Sequence, residues 1–391
     1  MVAVLALNVG SSSLKAAGFV LRGNRPQRIF TALHDPSAGD TDLVARIDGI
    51  DSPLGDPGAD YSDGALALVD LAERTCDGPL VVGHRIVHGG EFSGASVRLT
   101  PDMVEKLREL APLAPTHQEA GLAPVRALFD RRPDLQQTAS FDTSFHETMP
   151  DASRKLPLPS ELRGPLLQRH GFHGLSYRSV ARRMADRGLR RIVALHLGGG
   201  ASVCALRDRQ SLDTTMAATP LSGPMMTTRS GSLDPGVILY LLQEEGYDAA
   251  ALEDLLWHRS GLRGLSGRSG DLRKLIASDD EDARTAVDLF CDDLVRKTGA
   301  MVARLGGMDA LVFTGGAGAG QPLIRERVAG AFGWAGVTLD RARNAAITED
   351  TIAPRGSRLS HPTSPVQVWA LPVDEEREIA RGAFDLCEVA T

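Results

Sequence analysis

The chain has few cysteines, few aromatic residues and no long apolar segment. It contains four cysteines and 5% aromatic residues in 391 positions, and no two cysteines form a Cys-x-x-Cys pair. This spacing gives no basis for a disulfide framework or a zinc site. No run of about 18 apolar residues is present to span a membrane, and no basic segment with a cleavage-like site begins the sequence. These absences predict a reduced protein of the cytoplasm.

An excess of positive charge is also missing. The 43 Lys and Arg residues are outnumbered by 50 Asp and Glu residues, which gives a formal net charge of −7. Without a long basic run, we expect neither nucleic acid nor a membrane as a partner. The apolar share of 42% and the charged share of 24% are ordinary for a globular protein. The length is enough for two domains that each bury a core.

One local pattern occurs twice, at residues 4–13 and at residues 192–201. Each copy has an apolar run, one polar residue (Asn8 or His196), one apolar residue and a cluster of glycine and other small residues. The pattern predicts a buried strand, a tight turn and a return strand. Such turns expose backbone N–H groups that bind phosphate oxygens. Two matched turns predict a duplicated fold in which both halves contact a polyphosphate.

Strand and helix patterns alternate along the rest of the chain, which predicts an α/β protein. The Asp-, Gly-, Pro- and Ser-rich residues 35–62 are predicted to form an irregular surface segment, and residues 214–231 lack regular periodicity. Predicted helices cover residues 101–110, 236–245, 248–257 and 282–305, and predicted strands cover residues 139–141, 311–314 and 366–371.

Several short motifs follow one another: Asn8–Lys15 (NVGSSSLK), Gly83–Glu91 (GHRIVHGGE), Phe141–His146 (FDTSFH), Gly171–Gly174 (GFHG), His196–Gly198 (HLG), Thr228–Gly231 (TRSG) and Asp374–Glu376 (DEE). Their order and spacing resemble those of the acetate kinase family, which includes propionate and butyrate kinases, within the actin-like ATPase and sugar kinase superfamily. The resemblance implies two duplicated βββαβαβα domains, at residues 1–145 plus 376–391 and at residues 146–375, with the active site in the interdomain cleft. It also implies a homodimer.

The resemblance implies reversible, Mg²⁺-dependent transfer of a phosphoryl group between ATP and a short-chain carboxylate, which gives an acyl phosphate. A carboxylic acid with a pKa of about 4–5 is already ionised at neutral pH, so the reaction needs charge neutralisation and alignment more than a base. Arginine binds carboxylate and phosphate through paired N–H groups. By resemblance, Arg85 and Arg229 bind the carboxylate and the migrating phosphoryl group.

The resemblance also assigns roles to acids and histidines. Asp142 and Glu375 match the family's magnesium-associated carboxylates, with Asn8 nearby, and oxygen ligands suit Mg²⁺ or Mn²⁺; a helix-capping role for Asp142 remains the alternative. His173 matches the histidine that hydrogen-bonds the transferred phosphoryl group, and His117 matches a second family histidine. An ordinary structural role remains the alternative for both.

Further matches concern the nucleotide and the acyl group. Lys15 is either close to the phosphates or part of a structural ion pair, and His196 lies near the phosphates by resemblance. The other nucleotide-binding candidates are Gly198, Gly199, Gly200, Asp271, Leu272, Arg273, Gly315, Gly316, Ala317, Gly318, Ala319 and Gly320. The acyl-pocket candidates are Val87, Thr116, His117, Phe172 and Pro220.

Some of these positions differ from the usual family pattern. Gly199 replaces an asparagine, Gly318–Gly320 replaces Gly-Glu-Asn, and Tyr177 replaces a histidine. Each lost neutral side-chain contact to the nucleotide is worth about 0.5–1.5 kcal/mol. Two alternatives therefore stay open: pyrophosphate or another polyphosphate as the donor, and a non-catalytic protein that binds a nucleotide or metabolite. Thr116 replaces an aliphatic residue, which predicts a preference for a hydroxylated or otherwise polar short-chain acid.

Overall fold

The computed structural model describes residues 2–10, 13–35, 42–58, 60–92 and 94–388. The chain divides into two compact units, Met1–Glu147 with Asp374–Thr391 (unit 1) and Thr148–Val373 (unit 2). Each unit contains its own β-sheet. None of the helices in these ranges has the length and apolar character needed to cross a bilayer.

The strands are β1 (Ala3–Val9), β2 (Leu14–Arg22), β3 (Arg25–His34), β4 (Val44–Ile47), β5 (Ile50–Pro53), β6 (Leu80–Ile86), β7 (Val97–Arg98), β8 (Gln136–Phe141), β9 (Arg191–Leu197), β10 (Ala201–Arg207), β11 (Gln210–Thr214), β12 (Ala310–Thr314), β13 (Ser357–Arg358) and β14 (Gln367–Ala370). The helices are α1 (Ser62–Thr75), α2 (Pro101–Arg108), α3 (Gln118–Arg131), α4 (Asp151–Arg154), α5 (Gly174–Ala185), α6 (Pro235–Gln243), α7 (Ala249–His258), α8 (Gly261–Ser266), α9 (Leu272–Ile276), α10 (Glu281–Leu305), α11 (Gly315–Gly320), α12 (Pro322–Gly330), α13 (Arg341–Ala346) and α14 (Glu375–Glu388).

The sheet of unit 1 has the strand order β5-β4-β3-β2-β1-β6-β8-β7. Strand β1 is buried along its whole length, as its nearly continuous apolar sequence predicts for a central strand covered on both faces. Leu5 and Leu7 lie in one core cluster with residues of α1 and α3. Helix α14 packs against β1 and β6, and a Cβ added to Gly83 would lie only 2.8 Å from Ile379. The absence of a side chain at Gly83 therefore lets α14 approach the sheet closely.

The sheet of unit 2 has the order β11-β10-β9-β12-β14-β13, so five of its strands repeat the order β3-β2-β1-β6-β8 of unit 1. In unit 1, β1 is antiparallel to β2 and parallel to β6, and in unit 2, β9 is likewise antiparallel to β10 and parallel to β12. The predicted α/β class and the predicted duplication are confirmed. Val9 pairs with Leu14, whereas Leu197 pairs with Ala201, so the second turn is one residue shorter. Ser11 and Ser12 of the first turn lie outside the described residues.

The prediction of an irregular segment at residues 35–62 was wrong for its central part. Strands β4 and β5 form an antiparallel hairpin there, and helix α1 begins at Ser62. Asp48 and Gly49 join the two strands with φ angles of 51° and 84°. Two successive left-handed residues form the two-residue turn that matches the twist of a hairpin. Residues 36–41 and 59 of this segment lie outside the described part.

Four of the helices were predicted closely. Helices α2, α6, α7 and α10 begin and end within two residues of the predicted bounds. Their ends are marked by local chemistry that a sequence displays directly. Thr100, Asp234, Asp248 and Asp280 cap these four helices through side-chain oxygens that accept backbone N–H groups, as such residues commonly do.

Candidate active site

Unit 1 gathers polar side chains where β1, β6 and β8 end. Asn8 and Arg85 are the second-to-last residues of β1 and β6, and Asp142 directly follows β8. These three strands are parallel, so their carboxyl ends meet at one edge of the sheet. Helix α14 begins there, and the Asn8 side-chain amide donates to Glu375 Oε2 and to Glu376 Oε1, both at 2.9 Å. We call these five residues the acid cluster.

Arg85 is tied to acids within this cluster. Its Nη2 donates to Asp142 Oδ2 at 2.7 Å, its Nε lies 3.3 Å from Asp142 Oδ1, and its Nη1 lies 3.3 Å from Asn8 Oδ1. The side chains of Arg85 and Asp142 are 13% and 1% exposed. Burial alone would lower the pKa of Arg85, but the charges of Asp142 and Glu375 outweigh it, and the net pKa lies above the ordinary value. Arg85 is thus a cation that the protein itself already neutralises.

Burial also changes the pKa of the neighbouring carboxyl group of Glu376. Removal from water is the main cause that raises the pKa of Glu376, and the charge of Glu375 adds to it, whereas the Asn8 amide acts in the other direction. Two carboxyl groups that share one amide donor repel each other when both are ionised. A cation bound beside them would relieve this repulsion.

Unit 2 gathers a different set of groups, all of them hydrogen-bond donors or cations. Arg229 lies in the irregular segment between β11 and α6, and its Nη1 donates to the Pro220 carbonyl at 2.7 Å. Its guanidinium carbon lies 5.5 Å from the centre of the Trp257 ring. Burial lowers the pKa of Arg229 to about 10, which keeps it charged at neutral pH. No acidic side chain among the described residues pairs with it.

The turn after β9 lies directly beside Arg229 and His173. A Cβ added to Gly200 would lie 3.2 Å from His173 Nε2 and 3.3 Å from Arg229 Nη2. The ring of His173 lies 4.3 Å, centre to centre, from the ring of His196, the last polar residue of β9. His173 has a left-handed backbone, with φ of 59°, immediately before α5, a conformation that is uncommon for histidine. We call His173, His196, Gly200 and Arg229 the donor cluster, because its groups suit a phosphate.

The acyl-pocket candidates are divided between the units. Val87, Thr116 and His117 belong to unit 1, and Phe172 and Pro220 belong to unit 2. Val87, Phe172 and Pro220 are buried, whereas Thr116 is exposed. The preference for a hydroxylated acid was inferred from a hydroxyl enclosed by apolar groups, and the exposure of Thr116 removes that physical argument.

Gln118, the residue after His117, has a clear structural role. It is fully buried as the first residue of α3. Its side chain accepts from the His88 backbone N–H at 3.1 Å and donates to the His88 carbonyl at 3.0 Å. This double hydrogen bond ties the start of α3 to the chain just after β6, and so holds His117 near the segment that carries Val87.

Lys15 lies opposite Asn8 in the β1–β2 pair and its side chain is exposed. It forms neither an ion pair nor a side-chain hydrogen bond within the described ranges, so the structural ion pair considered for it is not formed there. Its ammonium group is available to a ligand.

The nucleotide candidates of unit 2 have mostly internal partners. The Asp271 carboxylate accepts from the Arg273 backbone N–H at 2.9 Å and from the Arg273 guanidinium at 3.0 and 3.1 Å. Leu272 is buried at the start of α9. Residues 315–320 form helix α11, and Gly315 begins it with a φ of 77° close to the Leu197 carbonyl.

Arg325 is a buried residue that the sequence pattern did not reveal. It is fully buried, and its guanidinium donates to the carbonyls of Gly318 and Ala319 and to Asn344 Oδ1. Burial lowers the pKa of Arg325 to about 10. It fixes the carboxyl end of α11 by satisfying carbonyls that a helix leaves unpaired.

The acid cluster fits a magnesium ion that arrives with phosphates. No group of three or more His, Cys, Asp or Glu side chains suited to a metal was found in the part of the chain that the structure describes. Mg²⁺ is usually held by one or two carboxylates, several waters and substrate phosphate oxygens. The oxygens of Glu375 and Asp142 match that donor set, and the crowded carboxyls of Glu375 and Glu376 would gain from a nearby cation.

Comparison with known proteins gives matches over most of the chain. The model of the acetokinase family matches residues 3–381. Acetate kinase of Rhodopseudomonas palustris is 43% identical over 338 residues, which cover 85% of this chain and 83% of that protein. The crystal structure of Porphyromonas gingivalis acetate kinase matches with a TM-score of 0.83 and 33% identity over 100% of both chains. A propionate kinase from Francisella tularensis matches with a TM-score of 0.84 and 29% identity over 98% of this chain and 99% of that chain.

Proposed function

The chain belongs to the acetokinase family, and from this premise we propose that it transfers a phosphoryl group reversibly between ATP and acetate or a close short-chain relative. The product in the forward direction is an acyl phosphate. The observation that carries the proposal is Arg229, a cation without an acidic partner among the described residues, which lies with His173 Nε2 beside Gly200. Leaving such a charge unpaired is unfavourable unless an anion binds.

The donor cluster supplies the groups that the transferred phosphoryl needs. A carboxylate oxygen forms a bond to the γ-phosphorus as the bond from phosphorus to the bridging oxygen breaks, and the electron pair stays on ADP. No proton is removed from the nucleophile, because a carboxylic acid is already ionised at neutral pH. Arg229 and His173 donate hydrogen bonds to the phosphoryl oxygens, where negative charge is spread in the transition state. His196 and Gly198–Gly200 lie beside the other phosphates.

The acid cluster would hold the metal ion, and it orients the arginine that attracts the substrate carboxylate. Glu375 and Asp142, with Asn8, would hold Mg²⁺, which neutralises phosphate charge when bound. Asp142 keeps the Arg85 guanidinium in one orientation through two hydrogen bonds, and Arg85 attracts the substrate carboxylate. Val87 and His117 of unit 1 contact the short acyl group in this proposal.

A polyphosphate donor is the second candidate. Helix α11 offers no side chain larger than a methyl group, and the Arg273 guanidinium is already paired with Asp271. Both features weaken recognition of an adenosine group, whereas the donor cluster needs only phosphate oxygens. Pyrophosphate would satisfy the donor cluster equally well.

We also propose that the protein forms a homodimer through unit 2. Helix α6 has the sequence PGVILYLLQ and no buried residue. Val237, Leu239, Tyr240 and Leu242 are 41–53% exposed, and a continuous apolar surface of this kind usually marks an interface. Light scattering during gel filtration should give the mass of two chains for the native protein and of one chain for Leu239→Glu; an unchanged mass in the variant would place the interface elsewhere.

The reaction is tested by trapping acyl phosphate as a hydroxamate. Purified protein is incubated with Mg²⁺, with ATP or pyrophosphate as the donor, and with acetate, propionate, butyrate, glycolate or lactate. We expect product with ATP and acetate or propionate. Product with pyrophosphate in place of ATP would favour the second candidate, and no product with any pair of substrates would contradict both.

A further inference from the structure

Two fully buried hydroxyl groups connect to His173 behind the donor cluster. Tyr177 lies in the first turn of α5 and Ser202 lies on β10, and neither side chain is exposed. Tyr177 Oη is 2.5 Å from Ser202 Oγ, and Ser202 Oγ is 2.8 Å from His173 Nδ1. A continuous line of hydrogen bonds therefore leads from the core of unit 2 to the imidazole.

The phenol favours one direction for these hydrogen bonds. Burial is the main cause that raises the pKa of Tyr177 well above its ordinary value, so its hydroxyl keeps its proton and can donate it. The same oxygen interacts with the backbone of His196, and Ser202 Oγ lies within hydrogen-bond distance of it. Once the serine oxygen accepts that proton, its own hydrogen points to His173 Nδ1. A ring nitrogen that accepts a hydrogen bond has no proton, so the imidazole proton lies on Nε2.

The charged and titratable groups around His173 favour a neutral ring in this form. The ring of His196 lies 4.3 Å away, and Arg229 Nη2 shares the position beside Gly200 with His173 Nε2. Beyond the phenol lies the Cys204 thiol, whose pKa burial raises to about 12. A second positive charge next to Arg229 is unfavourable, and the serine hydroxyl satisfies Nδ1 without one.

We propose that Tyr177 and Ser202 are positioning residues that keep the proton of neutral His173 on Nε2, so that this nitrogen is a permanent donor toward the phosphoryl group. The identity of the recipient rests on the proposed function, whereas the location of the proton does not. The opposite tautomer would present a lone pair to a phosphoryl oxygen and repel it. The hydrogen bonds of Tyr177 and Ser202 thus keep Nε2 of His173 a hydrogen-bond donor while the imidazole is neutral.

Kinetics of paired variants test the hydrogen bonds from Tyr177 through Ser202 to His173. Tyr177→Phe removes one buried oxygen and keeps the ring, and we expect kcat to fall about tenfold, the value of one lost hydrogen bond, with little change in KM for either substrate. The kcat of Ser202→Ala should fall at least as far as that of Tyr177→Phe. Because Tyr177 acts through Ser202, Tyr177→Phe should have no further effect in the Ser202→Ala background. Tyr61→Phe is the matched control, since Tyr61 is buried in unit 1, and it should leave kcat unchanged.

Additive effects of the two substitutions, or equal kinetics for Tyr177→Phe and Tyr61→Phe, would overturn the proposal. A second measurement is independent of activity. Nitrogen-15 NMR of the histidine-labelled full-length protein reports which ring nitrogen carries the proton, and the His173 signals are assigned by their loss in His173→Gln. We expect the Nε2–H form at neutral pH, and a rise of the Nδ1–H form in Ser202→Ala.

A wild-type spectrum with the proton on Nδ1, or on both nitrogens, at neutral pH would refute the proposal even if the enzyme is active. Absence of acyl phosphate formation together with the Nε2–H spectrum would instead refute the proposed function and leave the hydroxyl chain intact.

Discussion

Arg85 and Arg229 have the same side chain in opposite surroundings. Arg85 is held by the Asp142 carboxylate within the acid cluster, and the acids raise its pKa. Arg229 donates to the Pro220 carbonyl, lies close to the Trp257 ring and has no acidic partner among the described residues, and burial lowers its pKa. The comparison shows the same side chain paired with a carboxylate in unit 1 and without an acidic partner among the described residues in unit 2.

The acid cluster and the donor cluster lie at equivalent places in the two sheets. Asn8 on β1 and His196 on β9 occupy the same position of their strands, yet Asn8 binds acids and His196 lies beside another histidine. The duplicated backbone thus provides the same edge twice. The side chains that reach the edge then make one copy acidic and the other a set of donors.

The largest effect that would sharpen the comparison is on stability. Arg85→Ala removes the ion-pair partner of the nearly inaccessible Asp142 carboxylate, and the free energy of unfolding should fall by about 3–5 kcal/mol. Arg85→Ala with Asp142→Ala should recover most of that loss, because both charges are gone. Chemical denaturation measures each value. If Arg85→Ala were as stable as the native protein, the stabilising role of Arg85 would be wrong.

The matching substitution in the donor cluster should change activity strongly and stability less than Arg85→Ala does. Arg229→Ala removes a donor to the transition state, so kcat should fall about 10²- to 10³-fold, while the free energy of unfolding should fall less than in Arg85→Ala, because no buried carboxylate loses its partner. The hydroxamate assay and chemical denaturation give the two numbers. Activity that survives Arg229→Ala unchanged would show that another group receives the phosphoryl charge.

Acid sensitivity tests the interior of unit 1 next to Arg85. His84 is buried against Gln137, and burial lowers the pKa of His84 to about 4. Below pH 6.5 the unfolded chain therefore binds a proton at His84 that the folded protein does not bind. The stabilisation from the neutral His84 side chain is complete above pH 6.5 and is lost as the pH falls toward 4. At pH 5 this group alone should reduce the free energy of unfolding by about 2 kcal/mol.

A double variant isolates this contribution. His84→Leu with Gln137→Leu removes both polar partners, and its unfolding free energy should change less between pH 7 and pH 5 than that of the native protein. His361→Gln, at an exposed position, should retain the native pH dependence. An unchanged pH dependence in the double variant would show that His84 is already protonated in the folded state.

The smallest expected effect concerns the turn of the donor cluster. Gly200→Ala places a methyl group 3.2 Å from His173 Nε2 and 3.3 Å from Arg229 Nη2, whereas a Cβ at Gly199 would meet nothing within 4 Å. We expect kcat/KM for the phosphoryl donor to fall about tenfold in Gly200→Ala, by the loss of one hydrogen bond, and to stay unchanged in Gly199→Ala. Equal effects of the two substitutions would show that Gly200 does not border the phosphate.

Sequence patterns predicted the framework well for identifiable reasons. Strands β1 and β9 are nearly continuous apolar runs, and helices α2, α6, α7 and α10 have side-chain caps. The motifs predicted an acetate kinase-like phosphotransferase, and this is confirmed by the family match. The roles of individual residues stay predictions. The hairpin of β4 and β5 was missed because its polar composition concealed the Asp48-Gly49 turn.

By itself, the sequence determined the alternation of strands and helices, the duplication and the family, because these depend on local periodicity and on motifs in a fixed order. Only the tertiary structure decided which charges meet. Arg85 and Asp142 are 57 residues apart in the chain and pair because β6 and β8 are parallel neighbours. Packing likewise leaves Arg229 without an acid among the described residues and encloses Tyr177 and Ser202. Such pairings depend on distances in space that no local pattern encodes.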